Sequence, residues 1–149
     1  MPQLENRCVF CRIIAGELPA SVVYQDEHVV AFLDHQPITP GHMLVVPRVH
    51  VACFVDLPVE SACHLMRVGQ YLDCAIRHTS LRCEAVTLFL SDGSAAGQEV
   101  DHVHLHVLPR FEGDGFVMRL DYRYRQKPDR NQLDAAAAEI RGALPETSN

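Results

Sequence analysis

The sequence predicts an α+β domain, an antiparallel sheet of about five strands with one long helix and one C-terminal helix. Three observations carry that expectation. Short β-rich runs are joined by turn residues rather than by helices. One central stretch repeats apolar residues at helical spacing, and an alanine-rich stretch lies near the C-terminus. Strands and helices are therefore not strictly alternating, as βα units would require.

Residues 21–25 and 28–33 are β-rich and are separated by Asp26-Glu27, which reads as a hairpin. Pro37-Ile38-Thr39-Pro40-Gly41 is a turn-rich break. A buried strand follows over 43–46 and is closed by Pro47. Asp56 is the expected cap of the long helix, with Pro58 in its first turn. Ala62, Leu65, Met66, Gly69, Leu72 and Ile76 give that helix, over about 56–78, one core face. Residues 85–90 form the next strand, 91–98 a Gly/Ser/Ala loop, and 102–108 the last clear strand. Residues 118–125 alternate apolar and charged side chains, which suits either an extended edge or an exposed arginine-bearing loop. Asn131 is the expected cap of the final helix, which Gly142 and then Pro145 end.

A chain of 149 residues suits one domain with a real core. A net charge of -6 argues against binding a nucleic-acid polymer, while leaving room for a small anion in a local pocket. Residues 1–7 are polar and form no signal-peptide core, and no apolar run is long enough to cross a bilayer, so the expected location is cytoplasmic with no membrane partner. The six cysteines are not read as a disulfide framework. Cys53, Cys63, Cys74 and Cys83 lie among apolar residues and read as small hydrophobes. Cys8 and Cys11 differ, because their C-x-x-C spacing suits two thiolate ligands of zinc; two unpaired terminal cysteines are the plainer alternative.

The chemistry concentrates in His102-Val103-His104-Leu105-His106-Val107-Leu108. A strand has a period of two, so the three imidazoles share one face and the apolar residues turn to the core. Three readings stand at this point. The histidines face solvent on a half-buried strand, or two of them with a third ligand hold catalytic zinc, or they serve phosphate chemistry. The preceding loop, Ser91 to Gln98, has small residues that let backbone N–H groups approach an anion, although such loops are also ordinary connections.

Taken together, these residues resemble the histidine-triad (HIT) family of nucleotide hydrolases, in its Hint-like branch. His102-Val-His104-Leu-His106-Val-Leu matches the triad motif, flanked by Ala96-Gly97-Gln98 and Pro109-Arg110. Cys8-Val-Phe10-Cys11-Arg-Ile13, Gly16-Glu17-Leu-Pro19, Ala31-Phe32-Leu33-Asp34 and Pro40-Gly41-His42 resemble earlier family segments in the same order. The resemblance implies a single HIT domain over 1–149, with its core at about 8–116 and a C-terminal extension and helix over 117–149.

It also implies a function: hydrolysis of purine nucleoside phosphoramidates through a nucleotidyl-histidine, releasing the nucleoside monophosphate. His104 takes the nucleophile position, with His102, His106 and His42 completing the catalytic set. Asp34 matches the ribose-binding acid, and His35, Phe32, Ser91, Gly97 and Gln98 are the other expected nucleotide contacts. For Phe32, a core role competes with base contact. A structural zinc on Cys8, Cys11, His50 and His102, no catalytic cofactor, and a homodimer are further implications. Ser91 stands where many relatives have Asn, and His35 where a branched aliphatic is common. Glu99, where some relatives have Ser, would repel a polyphosphate leaving group. Hydrolysis of dinucleoside polyphosphates and a non-catalytic nucleotide-binding module are the alternatives.

Overall fold

A computed structural model describes residues 8–117 and 127–145. The chain divides into two compact units, Met1–Phe116 and Val117–Asn149. In the first, the elements run α1 (Val9–Ile14), β1 (Val22–Gln25), β2 (Val29–Leu33), β3 (Met43–Pro47), α2 (Val59–Ile76), β4 (Ala85–Phe89) and β5 (Leu105–Arg110). The second contains α3 (Arg130–Gly142). The expected segment at 118–125 lies outside the described residues.

The five strands form one antiparallel sheet in the order β1-β2-β3-β5-β4. Alternation along the strands divides their side chains between two layers. Val29, Ala31, Met43, Val45, Leu105 and Val107 pack with Leu65, Val68, Leu72 and Ile76 of α2. On the opposite face, Val30, Phe32, Leu44 and Val46 pack with Phe10 of α1. Fully burying each such side chain contributes about 1.5–3 kcal/mol. Gly69 brings α2 close to the sheet: a Cβ there would lie 2.9 Å from Leu105 Cδ2.

Three expectations at element ends are corrected. The long helix begins at Val59 with Pro58 as its N-cap, and Asp56 instead ends the 3₁₀ turn Phe54–Asp56. Proline disfavours helical dihedrals in the preceding residue, and Leu57 is extended at ψ 130. The last helix is capped by Asp129 rather than Asn131. Asp129 accepts from the Gln132 N–H at 2.8 Å, and the Gln132 side chain accepts from the Asp129 N–H at 3.0 Å. The triad strand starts at Leu105, not at residue 102, because the Val103 N–H bonds to the Val51 carbonyl at 2.8 Å instead of to a neighbouring strand. The two-residue alternation nevertheless persists through the segment, with Val103 in the α2 layer.

Asp26 ties the β1–β2 hairpin to α2. Its Oδ1 accepts from the N–H groups of His28 and Val29 at 2.8 and 2.9 Å. Its Oδ2 accepts from the Tyr24 hydroxyl at 2.9 Å and faces His64 Nε2 at 2.7 Å. An Arg67 N–H donates to His64 Nδ1 at 2.9 Å, so Nε2 carries the proton toward Asp26. Burial alone would raise the Asp26 pKa. The hydrogen bonds from His28, Val29, His64 and Tyr24 outweigh it and hold the carboxyl well below its ordinary range. The unfolded chain takes up this proton near pH 3.8 while the folded chain resists it, so the stabilisation is present above that pH and is lost as pH falls further. Asp26→Asn, which cannot accept from His64 through its amide nitrogen, should lower stability by about 1–3 kcal/mol at pH 7. Urea unfolding should show the gap to wild type narrowing at pH 3; a constant gap would contradict the linkage.

Candidate functional site

Two groups of side chains meet at the segment leading into β5. In the first, Cys8 and Cys11 lie one helical turn apart at the start of α1, facing His50 and His102. Cys8 Sγ is 3.4 Å from His102 Nδ1, and Cys11 Sγ is 3.3 and 3.6 Å from His50 Nδ1 and His102 Nδ1. The two Nδ1 atoms are 3.3 Å apart. All four ligand atoms lie within 4.8 Å of one another. Zinc bonds of about 2.3 Å to sulfur and 2.0–2.1 Å to nitrogen give tetrahedral edges of roughly 3.3 Å between nitrogens and 3.5 Å between nitrogen and sulfur. The donor set and its spacing therefore fit zinc. His102 Nε2–H donates to the Pro47 carbonyl at 2.8 Å, which leaves the Nδ1 lone pair for a metal. Burial pushes the His102 pKa down to about 4, keeping that lone pair available at neutral pH.

In the second group, backbone atoms set the tautomers. His104 Nδ1–H donates to the His102 carbonyl at 2.7 Å, leaving its lone pair on Nε2. The Ile38 N–H donates to His42 Nδ1 at 3.3 Å, so His42 carries its proton on Nε2. That proton points to His106 Nδ1 at 2.9 Å, leaving an N–H at His106 Nε2. The loop bearing His42 is fixed by a buried 2.6 Å hydrogen bond from Thr39 Oγ1 to the Pro109 carbonyl. One ring thus presents a nucleophilic lone pair and its neighbour a donor, with ring centroids 4.8 Å apart.

Burial is the largest influence on all three rings. It lowers the His104 pKa against the opposing pull of the His102 carbonyl, Asp34 and Glu99. His42 is lowered likewise, with Asp34 opposing and His104 adding to the fall. His106 is pushed down to about 3 by burial, then by His104 and His42. All three are neutral at pH 7, as a nitrogen nucleophile requires.

Asp34 lies beside this group, its Oδ2 3.6 Å from His42 Nδ1 and its Oδ1 accepting from the Gln36 N–H at 2.9 Å. The His35 side chain is 93% exposed. Phe32 is buried against Phe10 with ring centroids 5.7 Å apart, so packing is its visible role. The Gln98 side chain is held within the loop. Its amide donates to the Ala52 and Val100 carbonyls at 2.9 Å each, and its oxygen accepts from the Gly93 N–H at 2.7 Å. Both amide hydrogens are bonded, and Gln98 shapes the loop. Gly97 and Gly93 take φ 86 and 89, values that favour glycine and set the loop's turns. Ser91 is half-buried two residues beyond β4, and Glu99 is exposed.

The sequence reading missed Phe89. It pairs with His106 across β4 and β5, and the two rings stack with centroids 4.1 Å apart and planes 7° apart. Only the strand register brings them together, and no local motif marks it. The backbone partners Ile38 and Pro47 were equally invisible, because a carbonyl or N–H has no signature in side-chain identity.

The HIT domain model matches residues 15–113. A HIT-like protein of Methanocaldococcus jannaschii is 40% identical over 135 residues, covering 91% of this chain and 99% of that protein. The crystal structure of a zinc-bound histidine triad family protein from Mycobacterium smegmatis superposes with a TM-score of 0.73 at 38% identity, covering 94% of this chain and 99% of the other. The adenosine 5′-monophosphoramidase of Saccharomyces cerevisiae is 34% identical over 116 residues, covering 77% of this chain and 70% of the enzyme. With the motif, the sheet and the extent of these matches in agreement, the chain belongs to the HIT domain family.

Proposed function

We propose that this protein hydrolyses purine nucleoside phosphoramidates to nucleoside monophosphates through a nucleotidyl-His104 intermediate. The observation that carries the reading is the pairing of a lone pair at His104 Nε2 with an N–H at the adjacent His106 Nε2. The likeness to a yeast adenosine 5′-monophosphoramidase supports the choice of bond and nucleoside.

In the first step the His104 Nε2 lone pair forms a bond to phosphorus while the phosphorus–nitrogen bond breaks. The breaking bond leaves its electron pair on the departing nitrogen, which takes a proton from His106 Nε2. For this His106 is an imidazolium, a state that an anionic phosphate favours on binding. Its Nδ1 then donates to His42 Nε2, and His42 carries its own proton on Nδ1, beside Asp34 Oδ2, giving up the hydrogen bond from the Ile38 N–H. In the second step water attacks phosphorus, its proton passes to His106 Nε2, and the bond to His104 breaks with its electron pair returning to Nε2. The sum is one water consumed, one amine and one monophosphate released. Phosphoryl transfer of this kind depends chiefly on positioning and charge stabilisation. Asp34 would accept the ribose hydroxyls. The exposed carboxylate of Glu99, whose charge reaches His104, disfavours anionic polyphosphate leaving groups relative to amines.

Cys8, Cys11, His50 and His102 would hold zinc in a closed four-ligand shell, where it would anchor α1 to the segment that carries His104. Protein purified without chelators should contain about one zinc per chain. Cys11→Ala should release the metal and lower the melting temperature by several degrees. Metal-free wild-type protein of unchanged stability would remove zinc from the reading.

His104→Ala should reduce turnover of adenosine 5′-phosphoramidate by on the order of a thousand-fold or more. AMP binding should remain measurable by calorimetry. Mass spectrometry of wild type quenched early in turnover should find an adenylyl group on His104. Near-normal turnover in the variant would refute the nucleophile assignment.

A further inference from the structure

Phe89 belongs to a stacked column. On one side of it lies the His106 imidazole, with centroids 4.1 Å and planes 7° apart. On the other lies Phe116, at 6.5 Å and 16°. The Arg110 guanidinium covers Phe116 at 4.7 Å. Arg110 is itself fixed by Asp114, by the Phe116 carbonyl at 2.7 Å and by Thr87 Oγ1 at 3.2 Å. Beyond His106 the His42 ring continues the stack at 5.2 Å and 28°. Phe89 and His106 are opposed residues of antiparallel strands, so the sheet itself holds the two rings in register.

We propose that Phe89 is a positioning residue for proton transfer, its π-face holding the plane of the His106 ring and stabilising that ring's protonated form. The inference rests on the reading of His106 as the proton donor and extends it to what makes a donor possible there. The groups facing His106 otherwise oppose its charge. His104 and His42 both disfavour a cation, and burial removes water from it. The Asp34 carboxylate faces the far nitrogen of His42 at 3.6 Å, and one of its oxygens lies within 4.8 Å of a His106 nitrogen, too far to bond it directly. An aromatic face carries negative quadrupole density, and a cation over it gains about 0.5–2 kcal/mol as it is desolvated. A leucine of similar bulk would fill the space without that face. Phe89 therefore governs reactions in which the leaving group has to be protonated, and not those in which it departs as a stable anion.

The test compares two substrates and a graded set of side chains. Wild type, Phe89→Leu, Phe89→Met and protein with mono- to trifluorinated phenylalanine at position 89 are assayed on adenosine 5′-phosphoramidate and on adenosine 5′-O-(p-nitrophenyl) phosphate. Fluorination keeps the ring's shape while draining its face, so the result does not depend on whether the aliphatic variants fold. Turnover of the phosphoramidate should fall by about three- to thirty-fold in Phe89→Leu, in step with ring fluorination, with kcat rather than KM changing. Nucleotidylation by the nitrophenyl ester, read as the burst of nitrophenol that precedes the water step common to both substrates, should change less than about two-fold, its leaving group needing no proton. Equal losses in the nucleotidylation step with both substrates, or no grading with fluorine, would overturn the proposal and reduce Phe89 to packing. Nitrogen-15 NMR of His106 without substrate supplies a readout free of turnover. Protonation should begin at lower pH in Phe89→Leu than in wild type, and coincident curves would also overturn the proposal. If wild type fails to cleave the phosphoramidate while the His106 curves still separate, the functional reading fails and the role of Phe89 on that ring stands.

Discussion

His102 is the residue on which both halves of the site depend. Its Nε2–H is committed to the Pro47 carbonyl, its Nδ1 faces Cys8, Cys11 and His50, and its own carbonyl takes the Nδ1 proton of His104. One buried residue therefore directs a ring nitrogen toward the two cysteines and His50 on one side and fixes the tautomer of His104, the proposed nucleophile, on the other. The consequence is mechanical coupling: a shift of the N-terminal helix reaches His104 through a single backbone unit. The low dielectric of the site makes this coupling stiff, since an unpaired buried nitrogen or carbonyl costs about 1–3 kcal/mol.

The burial that fixes the tautomers also sets the protonation problem. A nitrogen nucleophile has to be neutral, and excluding water holds His104 and His42 below the ordinary imidazole range. The same exclusion pushes His106 to about pH 3, which suits a resting donor of hydrogen bonds but not a proton donor. The site resolves this by placing compensating charge where only a bound ligand completes it. Asp34 stands behind His42 at 3.6 Å, and a phosphate in front of His106 would supply the rest. On the proposed mechanism, proton uptake and substrate binding are then one event, which would confine leaving-group activation to the occupied site.

Much of this was legible in the sequence because it follows short-range periodicity. Alternation over 102–108 put the histidines on one face, and that alternation survives although the ladder starts only at Leu105. The spacing Cys8 to Cys11 places both thiols on one side of a helical turn. The failures share a different cause. Asp56 satisfied the capping preference, but Leu57, forced extended by Pro58, separated it from the helix. Asn131 satisfied it too, but Asp129 had Gln132 at the right distance for a reciprocal pair. The hydrogen bonds of Gln98 to the Ala52 and Val100 carbonyls are invisible for a related reason, because side-chain identity does not show which backbone group it meets. Competition between equally plausible partners is settled by geometry that residue identities do not encode.

The stack under His106 shows how function can rest on register instead of motif. An antiparallel pair brings opposed side chains to within reach of each other, and aromatic pairs so placed add roughly 0.2–1 kcal/mol to the sheet. Phe89 therefore has a packing reason to be aromatic before any chemical one. What separates the roles is orientation. Aromatic pairs in cores commonly meet edge to face, as Phe10 meets Phe32 at 60° and His104 at 72°. Phe89 instead lies parallel to His106, the orientation in which a gained proton sits over the ring's negative face. On the proposal above, the strand that carries the triad receives its charge-tolerant surroundings from the neighbouring edge strand. An exchange at position 89 would then retune leaving-group preference while leaving every histidine in place.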